Sequence, residues 1–335
     1  MNRRDERRYF LRRGAALIGA GLLAAGGGSA AHAQGPRTLR FAAVFSDRDI
    51  RAEMIQRLSR DLAPDFRIEP YLNASLFRQG TELVALQRDN LDLGNIAPQD
   101  FAKQIPSWTL LTSAYLFRDA QHLNAFFASE HGALMKSLAE QQAQVKVLGP
   151  TFFGTRHIGL RTRKRIETPA DLAGVKLRMP PGESWQMLGR ALGANPTPLA
   201  YAETYTALQT GAVDGQDNPL PNVQNMKFHE VMGQIVLTSH LVAFDLLSIN
   251  LKLWNGLSPA QQRQFQQAAD RAIAWSAAEH TRQEAELADQ FRKAGLEVYV
   301  PNLAAFREHA QRLYKASPEA RHWPPGMLDA INALK

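Results

Sequence analysis

The sequence predicts an α/β fold, on three observations. Short runs rich in β-branched and aromatic residues alternate with longer amphipathic stretches, no Pro/Gly/Ser-rich linker cuts the series, and one helical run from Pro259 to about Ala294 exceeds what a single small domain needs. Strands alternating with helices imply largely parallel sheets. In order, strands are expected at 38–45 and 66–72 and helices at 48–63 and 80–90. A short apolar strand at 91–96 follows. Apolar Leu123, Phe126, Phe127, Leu134 and Leu138 recur near helical spacing and predict one helix over 120–141. Strands are expected at 145–150, 157–161 and 175–178. After a Pro-Pro-Gly break come a helix, a proline-rich strand end and a helix stopping at Gly211, then a polar turn over 214–219. Further strands fall at 235–239, 246–251 and 296–300, and helices at 303–314 and 327–334. Ser258 and Pro259 suit the cap and first position of the long helix.

Residues 1–33 read as an export signal and are set aside from the fold. Arg3, Arg4, Arg7, Arg8, Arg12 and Arg13 precede a Gly/Ala-rich run, and Ala31-His32-Ala33 has the small-x-small form of a cleavage site, with cutting expected after Ala33. Arg7-Arg8-Tyr9-Phe10-Leu11-Arg12 is similar to the twin-arginine export motif, with Glu6 where Ser or Thr is usual, so both the twin-arginine and the general secretory routes stay open. Gly19, Gly21 and Ala24 match the dinucleotide fingerprint but have no strand before them and no βαβ unit after. The segment's six arginines against Asp5 and Glu6 account for most of the basic charge, so the whole-chain +7 falls to about +3 without it. That leaves little support for a nucleic-acid or anionic-membrane binder, which would need a clustered basic face. The remaining basic cluster, Arg161 to Arg165, is read as a solvated loop. The predicted destination is the periplasm.

The chain has no cysteine, so neither disulfides nor thiolate metal sites enter the reading. The 302 residues after Ala33 suffice for two packed lobes. No nucleophile elbow, phosphate loop or His-Glu-x-x-His motif occurs; His229-Glu230 begins the last, but Gly233 stands where its second histidine belongs. Asn73-Ala74-Ser75 is a sequon without meaning after a bacterial export signal. No cofactor and no metal are expected.

Function is written most densely from Gly174 to Pro219. Arg178 stands at a strand end before Pro180, Tyr201 follows Pro196-Thr197-Pro198, and Asn218 precedes Pro219 in Asp214-Gly215-Gln216-Asp217-Asn218-Pro219. A guanidinium offers a planar fork suited to a carboxylate. The stretch resembles the solute-binding proteins of TRAP (tripartite ATP-independent periplasmic) transporters, with their L-R-x-P, G-A-x-P-x-P and D-G-x-E-N-P segments; Asp217 replaces the commoner Glu. Thr168-Pro169-Ala170-Asp171-Leu172-Ala173-Gly174, Gly154-Thr155-Arg156-His157 and Glu82-Leu83-Val84-Ala85-Leu86-Gln87 extend the resemblance over about residues 38–299.

The resemblance implies two interleaved α/β lobes of the type II periplasmic binding protein kind, with a ligand cleft between them and a long helix spanning both. One lobe is expected at 37–153 plus 243–283, the other at 154–242 plus 284–335. It implies no enzyme, but a receptor that captures a small organic acid and delivers it to the membrane subunits. Arg178 is assigned the bidentate carboxylate contact, Arg156 a second contact and Asn218 an amide contact. Tyr201, Trp185 and Phe45 are candidate walls, the last two equally readable as core. His157, Tyr205 and Leu208 are read as structural. Contacts near Gln79, Pro98 and 243–245 are expected to choose among C4-dicarboxylate, hydroxy or keto acid, aldonate, uronate and aromatic acid, and oligomeric state stays open. The alternative is a periplasmic lyase or isomerase acting on a sugar acid, for which Glu183 and His157 are the candidate acid/base pair.

Overall fold

The computed structural model describes residues 35–334. The export signal at 1–33, with its twin-arginine motif and cleavage site, lies outside them. The described chain builds one nine-stranded sheet: β1 (Arg37–Ala42), β2 (Phe66–Tyr71), β3 (Leu93–Ile96), β4 (Val145–Leu160), β5 (Lys176–Met179), β6 (Asn195–Pro198), β7 (Gly215–Pro219), β8 (Gln234–Asn250) and β9 (Glu297–Tyr299). The order is β2-β1-β3-β8-β4-β7-β5-β6, with β9 added to β8.

The expected parallel sheet holds only at the flanks. β1 pairs in parallel with β2 and β3, β5 with β6 and β7, and β8 with β9. The centre is antiparallel, because β4 and β8 run the length of the molecule in opposite directions and pair with each other, with β3 and with β7. Each of these two strands was expected as two short ones. Gly149, Pro150 and Gly154 suggest breaks in β4, yet irregularities at Val147/Gly149, Phe152/Gly154 and Arg156/Ile158 keep the strand paired through them. Gly154 has φ of +118°, and a Cβ there would lie 2.7 Å from Pro219, so the bend needs glycine.

Two other expectations are corrected. The segment 214–219 is not a turn but contains β7, buried along its whole length between β4 and β5. Asp217 is satisfied by Arg156 and His240, distant in sequence, and Asn218 donates to Gln216 within the strand, so local polarity misleads. The run 120–141 forms two helices, Ala120–Ala128 and Glu130–Ala143, because Ser129 is extended and its hydroxyl caps the second by accepting from the Gly132 amide. Gly211 does end its helix, in the left-handed conformation, and Arg161 to Arg165 do form an exposed loop.

Apolar cores flank both ends of the sheet. Phe41, Leu58 and Phe66 belong to one near β1, and Phe101, Trp108 and Phe126 to its neighbour. Leu177 and Leu188 pack with Phe306 beside β5, and Leu208, Phe228 and Phe291 form a fourth group. The helix Pro259–Lys293, started by a Ser258–Gln261 capping box with proline at its first turn, gives Phe265 and Ala272 to one end and Leu287 and Phe291 to the other. Its 35 residues span roughly 50 Å, enough to tie the two ends together.

That helix also carries a half-buried acid. The Glu284 carboxylate accepts from the Thr155 amide at the β4 bend, and burial holds its pKa up at about 7. A raised carboxylate lowers native stability as pH climbs from its ordinary value to its folded one. Glu284→Gln keeps an acceptor for Thr155 and removes the charge. The variant is expected to melt like the wild type near pH 4.5 and to be more stable by about 1–3 kcal/mol at pH 8; equal melting curves at pH 8 refute this.

Candidate functional site

Arg178 lies near the end of β5, hydrogen-bonded on one side to β6 opposite Thr197 and on the other to β7 opposite Gln216. Pro180 and Pro181 prevent the strand from continuing, and the chain turns there at the edge of a cavity. The atom-free space within it, open solvent at its mouth included, is about 870 Å³. All six candidate residues line it: Phe45, Arg156, Arg178, Trp185, Tyr201 and Asn218.

Three buried arginines reach this cavity, and their hydrogen bonds separate their roles. Arg51 is fully committed: Nε and Nη2 donate to Asp49 at 2.9 and 2.8 Å, and Nη1 donates to Asp245 at 2.7 Å. Its guanidinium lies against the rings of Phe45 and Phe153 at 4.4 and 4.0 Å. Burial opposes its charge, but Asp49 and Asp245 outweigh that and raise its pKa. Arg156 is half committed: Nε and Nη2 donate to the Asp217 carboxylate at 2.7 and 3.0 Å. Asp217 is wholly buried, and burial alone would raise its pKa, yet Arg156 and His240 hold it well below the usual carboxylate range.

Arg178 differs. It is fully buried, only Nε has a protein acceptor (the Leu199 carbonyl at 2.9 Å), and Nη1 and Nη2 have no partner among the described residues. Burial lowers its pKa to about 10 against the pull of Asp217, so it stays charged at neutral pH. An unpaired buried guanidinium is costly in an apolar setting, and the two terminal nitrogens left over, on a residue that lines the cavity, match a carboxylate.

The other candidates surround this fork. The Tyr201 ring lies 5.8 Å from the Arg178 guanidinium, and its hydroxyl accepts from Asn222 at 3.0 Å. Trp185, 9% exposed, lies against the Arg156 guanidinium at 4.9 Å, so it is wall and core at once. Phe45 is likewise both, packed on Arg51 and on Phe41. Asn218 is buried in β7 opposite His157, and its Nδ2 donates to Gln216, so one amide hydrogen is already used. Gln79 reaches in from the β1–β3 end, and its Oε1 accepts from the Tyr201 amide at 2.8 Å.

Gln79, Pro98 and 243–245 do line the cavity. Sequence reading missed Arg51, Asp49, Glu82, Asn95 and Gln99, all buried. The signal available for Arg51 and Asp49 was weak: an acid at a helix cap followed two residues later by a base. Asn95 and Gln99 sit in an apolar strand and the short helix after it, where a polar residue in a buried run was the clue. The acid/base pair of the alternative reading is not assembled. Glu183 is paired with Arg190 on the surface. His157 is kept neutral by burial, with a pKa near 3, and its Nδ1 accepts from the Ser239 amide.

A mixed α/β sheet straddled by one long helix, beside a cavity lined by three buried arginines, is the architecture of a solute-binding protein. The family of bacterial extracellular solute-binding proteins, family 7 (DctP), matches residues 49–320, and the chain belongs to it: it is a TRAP transporter substrate-binding protein. It is 30% identical over 274 residues to the sialic acid-binding periplasmic protein SiaP of Vibrio cholerae, covering 81% of this chain and 83% of that protein. The 2,3-diketo-L-gulonate-binding periplasmic protein YiaO of Escherichia coli is 29% identical, with 70% and 71% covered. Among solved structures, a TRAP periplasmic solute-binding protein of Roseobacter denitrificans with bound 3-deoxy-D-manno-oct-2-ulosonic acid superimposes at a TM-score of 0.88. It is 41% identical, with 90% of this chain and 100% of that one covered. A second from the same organism, with bound L-galactonate, gives 0.81 at 25% identity, with 89% and 99% covered. The family and these neighbours are binding proteins of transporters, so the chain is not an enzyme. No described helix is long and apolar enough to cross a membrane.

Proposed function

We propose that this chain is a periplasmic receptor that captures a sugar-acid carboxylate on Arg178 and delivers it to the membrane subunits of a TRAP transporter. The observation that carries this reading is the pair of buried Arg178 nitrogens without a protein acceptor. A bound carboxylate supplies two acceptors in one plane and offsets the cost of burying the charge. Arg156, held by Asp217, adds positive potential, Asn218 adds an amide, and Tyr201, Trp185 and Phe45 form the walls. The Roseobacter relative with its bound octulosonic acid points to a ligand of that class.

We take the two lobes as 37–153 plus 243–283 and 154–242 plus 284–335, closing on the ligand about β4 and β8. Gln79 to Tyr201 is then a contact made on closure, and differential affinity for the closed form drives it. Export by the signal at 1–33, cleaved after Ala33, completes the proposal. The test is a thermal-shift titration of the processed protein with 3-deoxy-D-manno-oct-2-ulosonic acid, D-glucuronate and L-galactonate, with small-angle scattering on the same samples. A ligand at ~100 times its Kd adds about 2.7 kcal/mol of stability, and closure reduces the radius of gyration. No shift with any of the three refutes the sugar-acid reading; a shift without a change in radius refutes closure alone.

A further inference from the structure

Six buried polar atoms of cavity-lining residues lack a hydrogen-bond partner among the described residues, and they divide by chemical type. Two are donors, Nη1 and Nη2 of Arg178, and four are side-chain oxygens: Glu82 Oε1, Asn95 Oδ1, Gln99 Oε1 and Asn222 Oδ1. Three of the oxygens also stand apart in the fold. Arg178 is on β5, whereas Asn95 is on β3, Gln99 on the helix Pro98–Ala102 that follows it, and Glu82 on the helix Glu82–Gln87 before it. Asn222, whose Nδ2 donates to the Tyr201 hydroxyl, is instead on the helix after β7, on the Arg178 side. Three strands, β8, β4 and β7, separate β3 from β5.

Local bonding settles which atom Asn95 leaves over. The Thr151 hydroxyl donates to the Asp245 carbonyl at 3.1 Å, so its oxygen accepts from Asn95 Nδ2, also at 3.1 Å, and Oδ1 is left over. Glu82 is held in the same way: one carboxylate oxygen accepts from the Gly80 amide at 2.7 Å and the other stays unpaired. Around them this end of the cavity is acidic. Asp100 and Asp245 line it, paired respectively with Lys103 and Arg51, and Arg51 is shared with Asp49.

We infer that Glu82, Asn95 and Gln99 form a hydroxyl-reading subsite on the β3 side of the cavity, across the sheet order from Arg178, which restricts the receptor to polyhydroxylated monocarboxylates and rejects dicarboxylates. This rests on the assignment of Arg178 as the carboxylate site. Unpaired acceptor oxygens need O–H donors, which a sugar acid carries along its chain or ring. The second carboxylate of a C4-dicarboxylate brings only acceptors at neutral pH, and above about pH 7 it also meets the ionised Glu82 carboxylate as a like charge. A site built to hydrogen-bond hydroxyls rejects an analogue lacking them, because its own buried polar groups are left unpaired.

The test is calorimetric titration near pH 8, above the value of about 7 to which burial raises Glu82, so that this acid is ionised. The probes are 3-deoxy-D-manno-oct-2-ulosonic acid, D-glucuronate and succinate, on the wild type and on Gln99→Met, Asn95→Ala and Glu82→Gln. The wild type is expected to bind the better sugar acid at least about 100-fold more tightly than succinate. Gln99→Met, which keeps the side-chain volume, and Asn95→Ala each weaken the sugar acids by about tenfold. Glu82→Gln narrows the gap between sugar acid and succinate. Succinate binding as tightly as the sugar acids in the wild type overturns the inference. So does an unchanged sugar-acid affinity in both Gln99→Met and Asn95→Ala. Failure of the wild type to bind any of the three overturns the carboxylate reading itself. Tight binding of succinate with loss in Arg178→Ala leaves that reading standing and removes the hydroxyl subsite alone.

Discussion

Arg178→Ala is expected to lose roughly 30- to several-thousand-fold in affinity for the sugar acid, with the fold retained. Removing one member of a buried charge pair typically costs about 2–5 kcal/mol in binding. Among the described residues the same guanidinium makes a single hydrogen bond, to the Leu199 carbonyl, and has no acidic partner on its terminal nitrogens. Its loss therefore takes little from the folded state, and removing a desolvated charge offsets part of that. Arg178→Lys keeps the charge but not the paired donors in one plane, so it is expected to fall between wild type and alanine. Titration calorimetry with the bound acid, beside melting curves of each ligand-free variant, decides the matter. Near-native affinity in Arg178→Ala removes it from the site; collapsed melting temperatures in both variants make it a structural arginine.

Asp217→Asn carries the largest expected loss of stability. Asp217 is wholly buried, receives two hydrogen bonds on its carboxylate from Arg156, and lies 3.3 Å from His240 Nε2. Its charge also draws on Arg178. Removing it leaves Arg156 buried without a counter-charge, which typically costs about 3–5 kcal/mol. The pH dependence has a definite sign. The folded carboxylate titrates below its ordinary value of 3.8, so its contribution is complete above that value and is lost as pH falls through the folded one. Denaturant curves at pH 7 are expected to show the full difference between wild type and variant, and curves below about pH 4 a shrinking one. A difference under about 1 kcal/mol at pH 7 refutes the role assigned to the pair. If the variant folds, weaker sugar-acid binding is also expected, since Arg156 is no longer held beside the cavity.

Much of the site was legible because its residues lie in short, strongly patterned segments. Arg178 before Pro180, Tyr201 after the proline-clamped strand end and Asn218 before Pro219 converge on one cavity, as do Arg156, Trp185 and Phe45. What those residues do there was less legible. Arg156 and Arg178 look alike in sequence, yet one is bound to an acid 61 residues away and the other is not. Asp217, which replaces the commoner Glu in what was expected to be a polar turn, is instead the buried counter-charge of Arg156. Arg51 was unmarked, since its second acid, Asp245, lies 194 residues along the chain.

The sequence by itself determined what short-range physics controls. The alternation of strand and helix comes from side-chain periodicity, the start of the long helix at Ser258 from a cap and a proline, and the stop at Gly211 from a left-handed position only glycine adopts readily. Tertiary structure alone decided the antiparallel centre of the sheet. Strand direction depends on where β4 and β8 enter from, and bulges carry them past residues that look like breaks. It also decided which buried charges are spent. Desolvation makes every buried charge and amide take a partner where one is in reach. Only the assembled fold shows that Nη1 and Nη2 of Arg178 and one oxygen each of Glu82, Asn95 and Gln99, all on cavity-lining residues, have no partner among the described residues.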